Sequence, residues 1–191
     1  MRNLIFFLIF LFSAGIAAGE MPAVVQADFI QTRFLKDLEM EIRITGSMVY
    51  ERNGRIRWEV KDPVKSITVI GKDFLRHYDG DTGKVAELKG KDASWVKLLH
   101  SSFSDWLSGD MKKLAANQDC TVEKISEQEF RFTARKKDKG LFKTLFITFN
   151  KEKNGISRIL LEEHSGDTMK IEFRAVKHDP VLPDSIWKIT E

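Results

Sequence analysis

The sequence predicts a mainly β protein with a few helices, and three observations carry that expectation. Long stretches alternate apolar and polar residues with a period of two, short turns rich in Gly, Asn and Asp separate them, and one segment switches to helical spacing. Strand and helix do not alternate along the chain. This disfavours a doubly wound parallel sheet and points to an antiparallel meander in a single domain.

Residues 1–18 read as an address rather than as part of the fold. Arg2 supplies a positive start, Leu4 to Phe12 is an unbroken apolar run, and "SAGIAAGE" offers small residues for cleavage near Ala17 to Gly19. That run is far shorter than the about twenty residues a membrane-crossing helix needs. A cleavable signal peptide over 1–18 and one exported domain over 19–191 are therefore expected. A mature chain of roughly 170 residues is long enough to bury a real core.

The elements follow in order. "PAVVQADFIQTRF" is read as a turn or two of helix leading into a strand. Met40, Ile42, Ile44, Gly46, Met48 and Tyr50 then alternate with Glu41, Arg43, Thr45, Ser47, Val49 and Glu51, which is strand periodicity. "RNGR" makes a hairpin, because Asn-Gly suits the positive φ angles of a two-residue loop. The returning strand puts Ile56, Trp58 and Val60 on one face and Arg55, Arg57 and Glu59 on the other, the latter expected to meet water. "SITVIG", "FLRHYDGDTGKVAEL", "CTVEKISEQEFRFTARK", "FKTLFITFNKEKNGISRILLEEH", "TMKIEFRAV" and "SIWKIT" are expected to add further strands.

One segment differs. In "DASWVKLLHSSFSDWLSGD", Trp95, Leu98, Leu99, Phe103, Trp106 and Leu107 recur at spacings of three and four, the mark of an amphipathic helix. Asp92 or Ser94 can cap its start and Gly109 its end. A short helical turn is expected in "DMKKLAAN".

Composition narrows the function. The net charge is +3, from 31 basic and 28 acidic residues, and no basic stripe interleaves with stacking aromatics, which argues against nucleic acid. The run "RKKDKG" from Arg135 reads as a solvated turn, with an anionic lipid head group or acidic partner as the sharper alternative. Cys120 is the only cysteine, so no internal disulfide can form and stability must come from packing.

Catalytic constellations are not assembled. His77, His100, His164 and His178 are scattered without zinc-ligand spacing. His164 beside Glu162 and Glu163 reads as an exposed strand end, and "DGDTG" at Asp79 to Gly83 reads as a tight hairpin, since it lacks the remaining ligands of a calcium loop. No catalytic residue, metal or cofactor is expected. What remains is one apolar face: Met40, Ile42, Ile44, Met48, Trp58, Val60, Phe130, Phe132, Leu145, Ile147, Phe149, Met169, Ile171 and Phe173. Periodicity alone leaves open whether it packs as a filled core or curls around a cavity.

"ADFIQTR" at Ala27 to Arg33, "GSMVYERNGRIRWEVKDP" at Gly46 to Pro63, "VIGKDFLRHYD" at Val69 to Asp79 and "LEEHSGDTMKIEF" at Leu161 to Phe173 resemble the LolA family of periplasmic lipoprotein carriers, in its shorter LolA-like branch. The resemblance implies an unclosed antiparallel β-barrel of about eleven strands with a helical lid over an apolar cavity, which Met40, Ile42, Ile44, Met48, Trp58, Val60, Phe132, Ile147, Phe149, Met169, Ile171 and Phe173 would line. It also implies a periplasmic monomer that takes an acylated lipoprotein from an inner-membrane ABC transporter and passes it to an outer-membrane receptor. By position, Arg52 matches the family arginine that ties the lid to the barrel, and the segment carrying Trp95, Leu98, Leu99, Phe103 and Trp106 would be the lid. The chain departs from better-known members in a nearly absent N-terminal helix, in ending at "SIWKITE", and in Asn53 where proline usually follows the arginine. A dedicated glycolipid or polyene-lipid shuttle and an envelope sensor or protein-interaction domain are the alternative readings.

Overall fold

The computed structural model describes residues 22–52, 54–89, 100, 115–116, 119–135, 142–151 and 155–189. Within them lie β1 (Val24–Leu35), β2 (Met40–Glu51), β3 (Ile56–Asp62), β4 (Ser66–Ile70), β5 (Phe74–Asp79) and β6 (Lys84–Lys89). After residues outside the described set come β7 (Cys120–Lys124), β8 (Glu129–Ala134), β9 (Thr144–Phe149), β10 (Ile156–Glu162) and β11 (Thr168–His178). All eleven join one sheet in the order β6-β5-β4-β3-β2-β1-β11-β10-β9-β8-β7. Every pairing is antiparallel.

Two meanders, β1 to β6 and β7 to β11, are thus joined through the pairing of the first strand with the last. β1 pairs along its whole length with β2 and from Val25 to Phe34 with β11. Among the described residues β6 and β7 are the two edges, and the sheet does not close between them. Register shifts at Gln26/Asp28, Thr45/Gly46 and Ile156/Arg158 interrupt the ladders. Such bulges bend a strand and add twist, which helps a sheet of this width to curl.

The concave side holds the core. Phe29, Ile56, Phe132, Leu145, Ile147, Ile159 and Ile171 are buried in one cluster, which contains residues from both meanders. Trp58 packs against it with Phe29, their rings stacked at 3.9 Å between centroids and 24° between planes. Gly46 permits that stack. It pairs with Phe29 across β1 and β2, and a Cβ there would sit 2.6 Å from Phe29 Cζ and 2.0 Å from the backbone oxygen of Glu59. Only a residue without a side chain lets the ring cross β2 to reach the tryptophan of β3.

Three expectations are corrected. Residues from Val24 onward are strand, where a helical turn was expected before Phe29, because a ladder is available to them on both sides. "SIWKIT" is not a strand: Asp184–Trp187 forms a 3-10 turn after Pro183, with no sheet partner. The face of Arg55, Arg57 and Glu59 does not simply meet water, since Arg57 is only 9% exposed. Its guanidinium donates to Glu59 Oε2 at 3.0 Å and to the backbone oxygen of Lys188 at 3.3 Å. Arg55 lies over the Trp187 ring, 4.3 Å from its centroid.

The chain after β11 therefore crosses the convex side of the sheet as a strap. Val49 and Val69, the cross-strand neighbours of Arg57, are buried with it, and both belong to that convex face rather than to the main core. The strap is tied at its root, where Val24 N–H donates to Asp179 Oδ1 at 2.9 Å and Asp179 N–H to Val24 O at 2.8 Å.

Two substitutions test this packing. Gly46→Ala should lower unfolding stability by about 2–3 kcal/mol, because its methyl collides with fixed backbone as well as with a ring. Trp187→Ala should cost about 1–2 kcal/mol through the lost cation–π contact and strap cover. Urea unfolding midpoints read both, and unchanged midpoints would contradict the respective contacts.

Candidate functional site

Cross-strand partners share a face, so the register assigns the concave surface residue by residue. Nearest the β2–β3 turn runs a row of Val25, Tyr50, Ile56, Ile70, Leu75 and Leu88, apolar apart from the tyrosine hydroxyl. The next row is Ala27, Met48, Trp58, Thr68, His77 and Ala86, and the third is Phe29, Gly46, Val60, Ser66, Asp79 and Lys84. On the other meander the rows remain apolar almost to the edge, as in Met169, Leu161, Leu145, Phe132 and Val122.

The expected lining residues fall on this face with unequal burial. Phe132 and Ile147 are fully buried, Met48, Ile171 and Phe149 nearly so, and Ile44, Trp58, Val60, Met169 and Phe173 are half-buried against the cluster. Ile42 is half-buried near the β1–β2 hairpin. Met40 is 42% exposed at the start of β2, outside the packed region, because the long hairpin overreaches its neighbours. The described lining encloses an apolar cavity of about 20 Å³ between Val25, Ala27, Met48, Gly155, Ile156, Phe173 and Val176. That is space for about one water molecule.

The expected lid residues Trp95, Leu98, Leu99, Phe103 and Trp106 lie outside the described residues. His100 from the same segment is helical and buried, with Nε2 2.9 Å from Gly54 O in the β2–β3 turn. Ala115 and Ala116 are helical, in the place expected for a short turn. Arg52, half-buried, donates its backbone N–H to Ala23 O at 2.8 Å. Among the described residues its guanidinium has no ion pair.

The remaining titratable groups have structural duties. Asp79 Oδ1 accepts the N–H groups of Asp81 and Thr82, closing the β5–β6 turn; the Thr82 and Asp81 amides hold its carboxyl below the usual range. Cys120 is buried, its Sγ 3.6 Å from Ala115 O, and burial pushes the thiol up. Glu162 pairs with Lys143 at 2.7 Å and Glu163 with Arg33 at 3.0 Å, while His164 is exposed in the turn between β10 and β11. Among the described residues no group of three potential metal ligands gathers.

Sequence reasoning missed the polar end of the concave face. Thr68 Oγ1 and His77 Nδ1 lie 2.9 Å apart across β4 and β5, beside Ser66. The signal was present in the alternation of "SITVIG", where Ser66 and Thr68 share a face with Ile70.

Comparison with known proteins agrees with this architecture. The family described as outer membrane lipoprotein carrier protein LolA matches residues 21–190. An outer-membrane lipoprotein carrier protein of Nitrosospira multiformis is 27% identical, over 90% of this chain and 80% of its own. One from Legionella pneumophila strain Paris is 24% identical, over 92% and 84%. Among solved structures, an uncharacterized conserved protein from Thermus thermophilus has a TM-score of 0.57 at 11% identity, covering 90% of this chain and 88% of that one. A chain of the Pseudomonas aeruginosa MucA/MucB complex has a TM-score of 0.51 at 12% identity, covering 87% of this chain and 56% of that one. Both share the fold. With the family match spanning all eleven strands of the open sheet, this chain belongs to the LolA family.

Proposed function

We propose that this protein carries the acyl chains of lipoproteins, or of related lipids, through the periplasm, from an inner-membrane ABC transporter to an outer-membrane receptor. One observation supports the reading above all: a curled sheet with an apolar concave face stays unpaired between β6 and β7 among the described residues. The names of the relatives point the same way. The reading needs no catalytic group.

The energetics suit a carrier. Burying one CH₂ is worth about 0.8 kcal/mol, so a sixteen-carbon chain held out of water represents on the order of 12 kcal/mol. A space of about 20 Å³ does not hold such a chain. The load must part the lining, and the open edge between β6 and β7 lets the two meanders separate without breaking a ladder. Met48 and Phe173 border the cavity, and a methionine with three rotatable bonds re-packs readily around a guest.

The test is direct. Delipidated protein should bind a fluorescent fatty-acyl probe, and Trp58→Glu should weaken that binding about tenfold or more, because the new carboxylate must lose its hydration where the chain lies. Native mass spectrometry of protein purified from the envelope should show retained acyl lipid. A parent protein that binds no probe, or a Trp58→Glu variant that binds as the parent does with an unchanged fold, refutes the proposal. A stable lipid-free complex with a membrane-anchored protein would favour the interaction-domain reading.

A further inference from the structure

The concave face changes chemistry across the sheet, and the change is confined to one corner. Following the row of Trp58 from β1 outward, Ala27, Met48 and Trp58 give way to Thr68 and His77 at β4 and β5. In the neighbouring row, Phe29, Gly46 and Val60 give way to Ser66 and Asp79. The row beyond, with Ile70, Leu75 and Leu88, stays apolar at the same strands. Polar residues thus replace core residues at four adjacent positions of two strands, on the face that elsewhere holds the core.

These side chains are half-buried and so remain reachable. Thr68 Oγ1 and His77 Nδ1 are bonded to each other at 2.9 Å, which fixes the imidazole and leaves Nε2 for another partner. Ser66 contributes a hydroxyl that donates and accepts. The formal charges of the corner, Asp79 and Lys84, are direct cross-strand partners and cancel. The corner offers hydrogen bonds without net charge, next to the aromatic stack of Trp58 and Phe29.

Resting on the carrier reading above, we infer that Ser66, Thr68 and His77 hold the uncharged polar head of the cargo lipid, an ester- or hydroxyl-bearing glyceryl group, while its chains lie along Trp58, Met48 and Phe29. A neutral head matches donors and acceptors that carry no compensating cation. A phosphate head would have to bring its charge beside Asp79, whose cross-strand partner among the described residues is Lys84. The site therefore selects neutral-headed acyl cargo against the phosphate-headed lipids of the membranes it visits.

A matched pair of ligands tests this. 1-Monolauroylglycerol and 1-lauroyl lysophosphatidate share chain, ester and glycerol, and differ by the phosphate; both compete with a fluorescent fatty-acyl probe on the full mature chain. The parent should bind the monoglyceride about five- to tenfold more tightly, a difference that one or two net hydrogen bonds to its 3-hydroxyl, which is esterified in the lysophosphatidate, supply. Thr68→Val combined with His77→Phe should bring the two ligands to within about twofold of each other, chiefly by weakening the monoglyceride. Ser66→Ala removes one oxygen with little risk to folding and should lower the preference about two- to threefold on its own. Glycerol alone should displace nothing, which separates a lipid head from a free polyol. Equal affinities in the parent, tighter binding of the phosphate, a preference that survives both variants, or displacement by glycerol overturns the inference. A parent that binds neither lipid nor probe instead removes the carrier function beneath it.

Discussion

The pairing of β1 with β11 is the constraint on which everything else depends. Each meander alone would expose a long apolar strand edge, and the buried cluster draws on both, with Phe29 and Met48 from one and Phe132, Leu145 and Ile171 from the other. Joining strands so far apart in sequence costs chain entropy, but that cost grows only logarithmically with separation, whereas the ladder adds hydrogen bonds and packed pairs along nearly the whole of β1. The union at one side of each meander also defines what is left over. Among the described residues the other sides, β6 and β7, stay apart.

Within that frame the aromatic stack decides how the inside is shaped. Phe29 reaches Trp58 only by crossing a strand that lacks a side chain at Gly46. The resulting slab of two rings adjoins the corner of Ser66, Thr68 and His77, with Trp58 opposite Thr68, while Ile56 and Ile70 lie buried in the next row. Apolar and polar chemistry thus meet along β3 and β4. An amphiphile has the same division, and the corner lies where the polar end of a chain stretched along the rings would come to rest.

Much of this was legible in the residues. The two-residue period of Met40 to Tyr50 places one face inward, and the register confirms Met48, Trp58 and Val60 on it. The Asp79 turn stands where its side-chain chemistry demands, whereas Gly54 at the β2–β3 turn does not take the positive φ expected of an Asn-Gly pair. The rest was hidden for physical reasons. Nothing local in Val24 to Leu35 announces a partner more than a hundred residues away, so its ladder with β11 could not be read from periodicity. The strap misleads more actively. By covering the convex side it buries Arg57 with Val49 and Val69, so that β4 carries apolar residues outward and hydroxyls inward, the reverse of what burial on a single face would produce. "SIWKIT" in the strap looked like another strand because β-rich composition is also what a segment pressed against a sheet requires.

The reciprocal hydrogen bonds between Val24 and Asp179 bring the two termini of the sheet to one place. Linking them there and cutting between β6 and β7 would turn the order of strands into an uninterrupted up-and-down succession, from β7 through β11 to β1 and on to β6. The native order is thus a circular permutation of the simplest topology available, with its break placed where the two halves already touch. The two ends of the strand order, β6 and β7, are consecutive in sequence yet unpaired among the described residues.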